Sequence, residues 1–106
     1  MPSVPCDCNE KSTDLELFSA IEQAQLKALN FLYDRYGKLV YTIALRVVNN
    51  VEEAEDITQE VFLKLWQQSS IYKPERGSLS NFLVMLTRSK SIDRVRSRKS
   101  HHQRLH

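Results

Sequence analysis

Apolar and polar positions separate at helical spacing along most of this 106-residue chain. The clearest stretch is residues 51–68, VEEAEDITQEVFLKLWQQ. On a helix of about 3.6 residues per turn, Ala54, Ile57, Val61 and Leu65 form one stripe and Phe62 widens it. Glu52, Glu53, Glu55, Asp56, Gln59 and Glu60 fall elsewhere, where the first turns gain from the positive end of the helix dipole. Upstream, Thr13 and Glu16 have the spacing of a capping box. They open a short helix with Leu15, Phe18 and Ile21 inward and Leu17 partly exposed. Leu29, Leu32, Tyr33, Tyr36, Val40, Ile43, Ala44 and Val47 then predict a long helix over about 24–49. Gly37 inside it marks a kink or a close helix contact, and Asn49-Asn50 stops it.

Residues 69–77, SSIYKPERG, are punctuated by Lys73-Pro74 and Gly77 and read as a loop. Ser78 or Ser80 caps a final helix whose inner face is Leu79, Phe82, Leu83, Leu86 and Ile92, with Val95 extending it. The expected fold is all-α, a compact bundle of three to four helices. Residues 1–13 read as a flexible leader and 14–100 as one helical domain. Residues 101–106 lose apolar periodicity and read as a linker start or the end of the folded part.

Composition supports this picture. No proline occurs between Cys8 and Lys73, and the length suits one domain. Cys6 and Cys8 are the only cysteines, so a disulfide framework is excluded. A Cys-x-Cys pair can bind a metal or meet an oxidant, but it also fits an unstructured leader. No apolar run is long enough to cross a bilayer and no signal pattern opens the chain, so a cytoplasmic protein is the default. His101, His102 and His106 are all terminal. No phosphate loop, metalloprotease motif or nucleophile elbow occurs, and the body holds no histidine to act as a base. We expect no enzyme activity, cofactor or metal.

Charge adds more through its distribution than through its net value of +2. Residues 88–104 hold seven Lys or Arg and one acid, Asp93. Lys90, Arg94 and Arg98 repeat every four residues, flanked by Arg88, Arg96 and Lys99. Such a helix can neutralise phosphates or be a solvated end. In the loop before it, Tyr72, Lys73, Arg76, Ser78, Ser80 and Asn81 mix an aromatic face with bases and small polar groups. That mixture suits a single strand or flipped base, and equally a packed tyrosine in a polar turn. Outside the apolar stripe of the acidic helix, Asp56, Gln59, Glu60 and Leu63, with Trp66 at the boundary, suit a protein-docking face or a solvated one.

At these residues the chain resembles a bacterial sigma factor region 2 of the extracytoplasmic-function type. AEDITQEVFLKLW (Ala54–Trp66) resembles the polymerase-binding helix, region 2.2; LYDRYGKLVYTIALRVV (Leu32–Val48) resembles region 2.1; RGSLSNFLVMLTRSKSIDRVRSRK (Arg76–Lys99) resembles regions 2.3 and 2.4. The resemblance implies docking on the β′ clamp helices of core RNA polymerase through Asp56, Gln59 and Glu60, with Phe62 and Trp66. It implies binding and melting of the promoter −10 element through its non-template strand. Tyr72, Lys73, Arg76, Ser78, Ser80 and Asn81 would supply the loop pocket; Arg88, Lys90, Arg94, Arg96 and Arg98 would hold phosphates. Asp93 matches a family acid, with an intrahelical partner such as Arg96 or Ser97 as an equal alternative to a DNA role. An anti-sigma protein is a further implied partner. Phe82 stands where many relatives have Trp, and Ser89 where they have Asn. No region 4 helix-turn-helix follows, which reads as a fragment. The rivals are a duplex-DNA regulator independent of polymerase, and a protein-interaction module with a solvated basic tail.

Overall fold

The computed structural model describes the backbone of residues 11–104 and the side chains through Arg98. The expectations for Cys6 and Cys8, most of the leader, Lys99 and the histidines' side chains lie outside the described residues. Four α-helices follow in order: α1 (Asp14–Glu22), α2 (Leu26–Val48), α3 (Val51–Gln67) and α4 (Leu79–Arg104). Two 3-10 turns, Ser69–Ile71 and Pro74–Arg76, join α3 to α4. No strand occurs among the described residues.

Local chemistry sets most boundaries. Thr13 caps α1: its hydroxyl accepts from the Glu16 backbone N–H, and the Glu16 carboxylate accepts from that of Thr13. Asn49 closes α2 in the left-handed conformation, which asparagine tolerates. Its neighbour Asn50 opens α3, with Oδ1 accepting from the Glu53 N–H at 2.9 Å. Ser78 caps α4 through Oγ, which accepts from the Asn81 N–H at 3.2 Å. The long second helix begins at Leu26 rather than near residue 24, because Ala24 is left-handed (φ 59°) and turns the chain. The last helix continues through 101–104, past the expected end at residue 100. Helix α2 runs on through Gly37, which is buried, and the nearest atoms that an added Cβ would meet are those of the Tyr33 ring, on the same helix, at 3.5 Å.

Helix α2 is the hub, packing against α1, α3 and α4. The core joins Leu17, Phe18 and Ile21 of α1 to Leu32, Val40, Ala44 and Val48 of α2. Ile57, Val61 and Leu65 of α3 complete it with Leu79 and Leu83 of α4. Three inner-face expectations change. Leu17 is fully buried and Leu15 is 58% exposed, because α1 turns Leu17 and Phe18 together toward the core. Tyr33 is 47% and Ile92 42% exposed, both at the margins of their helical stripes.

Asp14 gathers a polar cluster against α2. Its carboxylate pairs with Arg35 at 2.8 Å and accepts a hydrogen bond from the Tyr36 hydroxyl. Arg35 also donates to the Ser12 carbonyl at 2.8 Å. Burial, then the Asp14 hydrogen bond and its charge, push the Tyr36 phenol up to about 12, against a smaller opposing effect of Arg35.

Candidate protein and nucleic-acid interfaces

The apolar stripe of α3 packs inward and leaves a row of other side chains outside. Asp56, Gln59 and Glu60 are exposed, and Leu63 is half exposed. Among the described residues Asp56 has no ion-pair partner. Trp66 is half-buried against the core edge. Phe62 is a correction to the docking set: it is 3% exposed, its ring 5.1 Å from that of Tyr33. It belongs to the inward stripe that it widens, and supports the face from beneath.

Sequence spacing gave no sign of an open cleft of about 490 Å³ between α2 and α3. Tyr33, Asp34, Lys38 and Tyr41 line one wall, and Glu55, Thr58 and Gln59 the other. Gln59 therefore faces both the exposed row and this cleft.

The 69–77 loop divides its side chains. Lys73, Arg76, Ser78 and Asn81 are exposed and Ser80 is half-buried. The Ser78 and Ser80 hydroxyls lie 3.2 Å apart. Tyr72 is a correction to the expected stacking face. It is 6% exposed, edge-on to Phe18 at 4.8 Å and tilted against Phe82 at 5.2 Å. Burial, followed by the charges of Asp14 and Glu75, raises its phenol above the ordinary value. A shallow cleft of about 340 Å³ lies beside it, bounded by Tyr72, Pro74, Gly77 and Ser78 from the loop and by Thr13, Asp14 and Leu15. The participation of α1 in this cleft is a tertiary feature that the loop sequence did not signal.

The bases of α4 fall into two sets. Arg88 and Arg96 are exposed and have no ion-pair partner among the described residues. Met85 (71% exposed) and Ile92 stand out with them as apolar groups. Lys90, Arg94 and Arg98 turn instead toward α3. Glu60 receives Arg94 at 3.1 Å and Lys90 at 3.9 Å; Glu53 receives Arg98 at 3.2 Å. Arg98 also donates to the Val48 carbonyl at 3.2 Å, satisfying an acceptor at the end of α2. Asp93 is exposed and forms no ion pair among the described residues, so the intrahelical pairing with Arg96 is absent.

The arrangement sets an acidic, partly apolar face on α3 beside the bases of α4. No described helix is long and apolar enough to cross a membrane. The sigma-70 region 2 family model matches residues 32–101. An ECF RNA polymerase sigma factor SigK of Mycobacterium sp. (strain KMS) is 33% identical over 94 residues, covering 88% of this chain and 49% of that protein. The SigK of Mycolicibacterium vanbaalenii is 32% identical over 81 residues, covering 76% and 41%. That of Mycobacterium ulcerans is 30% identical over 95 residues, covering 89% and 51%. The chain thus spans about half the length of these curated relatives. No solved structure matches at a significant level.

Proposed function

Because this chain belongs to the sigma-70 region 2 family, we propose that it acts in transcription initiation, joining core RNA polymerase to the promoter −10 element. In this reading residues 14–100 are the region 2 domain. Asp56, Gln59, Glu60 and Leu63, with Trp66 at the edge, receive the β′ clamp helices. Lys73, Arg76, Ser78, Ser80 and Asn81 meet the displaced non-template strand, and Arg88 and Arg96 hold its phosphates. Lys90, Arg94 and Arg98 lie beside them, facing acids of α3. Tyr72 and Phe62 shape these surfaces from inside. An anti-sigma protein that covers the α3 row is a further partner consistent with this reading.

The observation that carries the reading is the exposed acidic row of α3 beside the basic face of α4, held on one packed body. It supports two partners bound at once, which a duplex-DNA regulator independent of polymerase does not require.

The test is binding to bacterial core RNA polymerase, comparing the wild type with Asp56→Lys/Gln59→Lys. This variant reverses the character of the row and keeps the ion pairs of Glu60. Loss of binding by a folded variant supports the docking face. Equal binding by both proteins sinks that assignment.

A further inference from the structure

The acidic and basic helices meet at one carboxylate. Glu60 stands on the exposed row of α3, and Arg94 Nη2 lies 3.1 Å from its Oε1 while Lys90 Nζ lies 3.9 Å from its Oε2. Lys90 and Arg94 are one turn apart on α4, so a single acid faces two successive bases. The side chains of Lys90 and Arg94 are 24% and 27% exposed, that of Glu60 47%. The carboxylate is therefore open to a partner on the α3 side, while the two bases it faces are partly withdrawn from solvent.

We propose that Glu60 is an exchange point between the two partners. In the free chain it engages Lys90 and Arg94 in competition with phosphate. A cationic side chain of the protein docked on α3 then takes the carboxylate and releases both bases to the DNA backbone. The proposal rests on the reading of α3 as a docking face and α4 as a strand-binding face. Exposed ion pairs of this kind weaken a competing contact by roughly two- to fivefold, little enough for a docked partner to reverse. Removing Glu60 should therefore act like the docked partner and strengthen strand binding by the free chain.

The test uses Glu60→Gln, which removes the charge and keeps the size. The probe is a labelled single-stranded oligodeoxythymidylate, whose backbone is held without sequence readout. Affinity is followed by fluorescence anisotropy across a salt series. Glu60→Gln is expected to bind roughly two- to fivefold tighter than wild type. Its log–log salt slope should steepen by roughly 1.4, at about 0.7 for each released base. Glu55→Gln makes the same chemical change at an exposed acid of α3 with no ion-pair partner among the described residues, and should give a smaller gain. In a Lys90→Gln/Arg94→Gln background, Glu60→Gln should lose its effect on the slope. An equal gain from Glu55→Gln, or an unchanged slope effect in that background, overturns the inference and leaves both surface readings standing. If neither wild type nor Glu60→Gln binds at low salt while retaining native helical circular dichroism, the strand-binding reading falls and the inference falls with it.

Discussion

The Tyr72 hydroxyl donates to the Gly77 carbonyl at 3.0 Å and closes the loop that leads into α4. Gly77 holds φ at 152°, a conformation that side chains rarely adopt, although a Cβ there would meet nothing within 4 Å. Its substitution is therefore a backbone problem rather than a steric one. Gly77→Ala should cost about 1–3 kcal/mol, and Tyr72→Phe about 0.5–1.5 kcal/mol. Urea unfolding followed by circular dichroism checks both. Equal stability of Gly77→Ala and wild type would show that the loop relaxes freely.

Ser91 carries a different kind of cost. It is fully buried, and its hydroxyl has no hydrogen-bond partner among the described residues. Thr87, one turn earlier and also buried, satisfies its own hydroxyl on the Leu83 carbonyl at 2.6 Å. Ser91→Ala should therefore raise stability by about 1–3 kcal/mol, while Thr87→Ala should not. A higher thermal midpoint for Ser91→Ala checks this; a lower one would reveal a polar contact at that hydroxyl.

Gly37 is a second site for stabilisation. The helix runs through it, and an added Cβ would be in ordinary contact with Tyr33. Gly37→Ala should gain about 0.5–1 kcal/mol from helix propensity. Destabilisation measured by urea would mean that the α2–α3 cleft closes on this position.

Tyr36 ties stability to alkaline pH. Its phenol is raised from 10.0 to about 12, so between those values the folded chain keeps a proton that the unfolded chain has released. The stabilising contribution is full below the ordinary value and is lost as pH rises through the raised one. Tyrosinate absorbance in the near ultraviolet should show a late-titrating component that shrinks in Tyr36→Phe, with the raised Tyr72 phenol remaining. Asp14→Asn, which removes the neighbouring negative charge, should bring that titration earlier. An unchanged titration would exclude Asp14 as a cause.

The exposed bases of α4 should dominate the salt dependence of strand binding. Arg88→Gln and Arg96→Gln should each flatten the log–log slope by about 0.7. Anisotropy titrations on a single-stranded probe measure this directly. No change in either variant would move the phosphate contacts away from the outer face of α4.

Features with short-range chemistry were legible in the sequence. The Thr13–Glu16 cap, the Asn49-Asn50 junction and the Ser78 cap each depend on groups within a few residues. The α3 stripe was equally legible, since Ala54, Ile57, Val61 and Leu65 are all fully buried. What spacing left open depends on what lies opposite. Leu15 and Leu17 are both apolar, and only the packing of α1 decides which one is covered. Tyr72 has the composition of a stacking residue, but Phe18 and Phe82 close around its ring. The four-residue repeat of Lys90, Arg94 and Arg98 was visible, whereas the acids they meet come from a distant helix. Ala24 adopts its left-handed turn with no residue-type signal, and so the start of α2 was misplaced.

The grip of Arg98 on Glu53 and the Val48 carbonyl makes one joint of three helices. In mechanical terms, a load on the basic end of α4 is not confined to that helix. It passes into the corner where α2 ends and α3 begins. A strand that tugs on α4 therefore also strains the base of the surface on which a protein partner would sit.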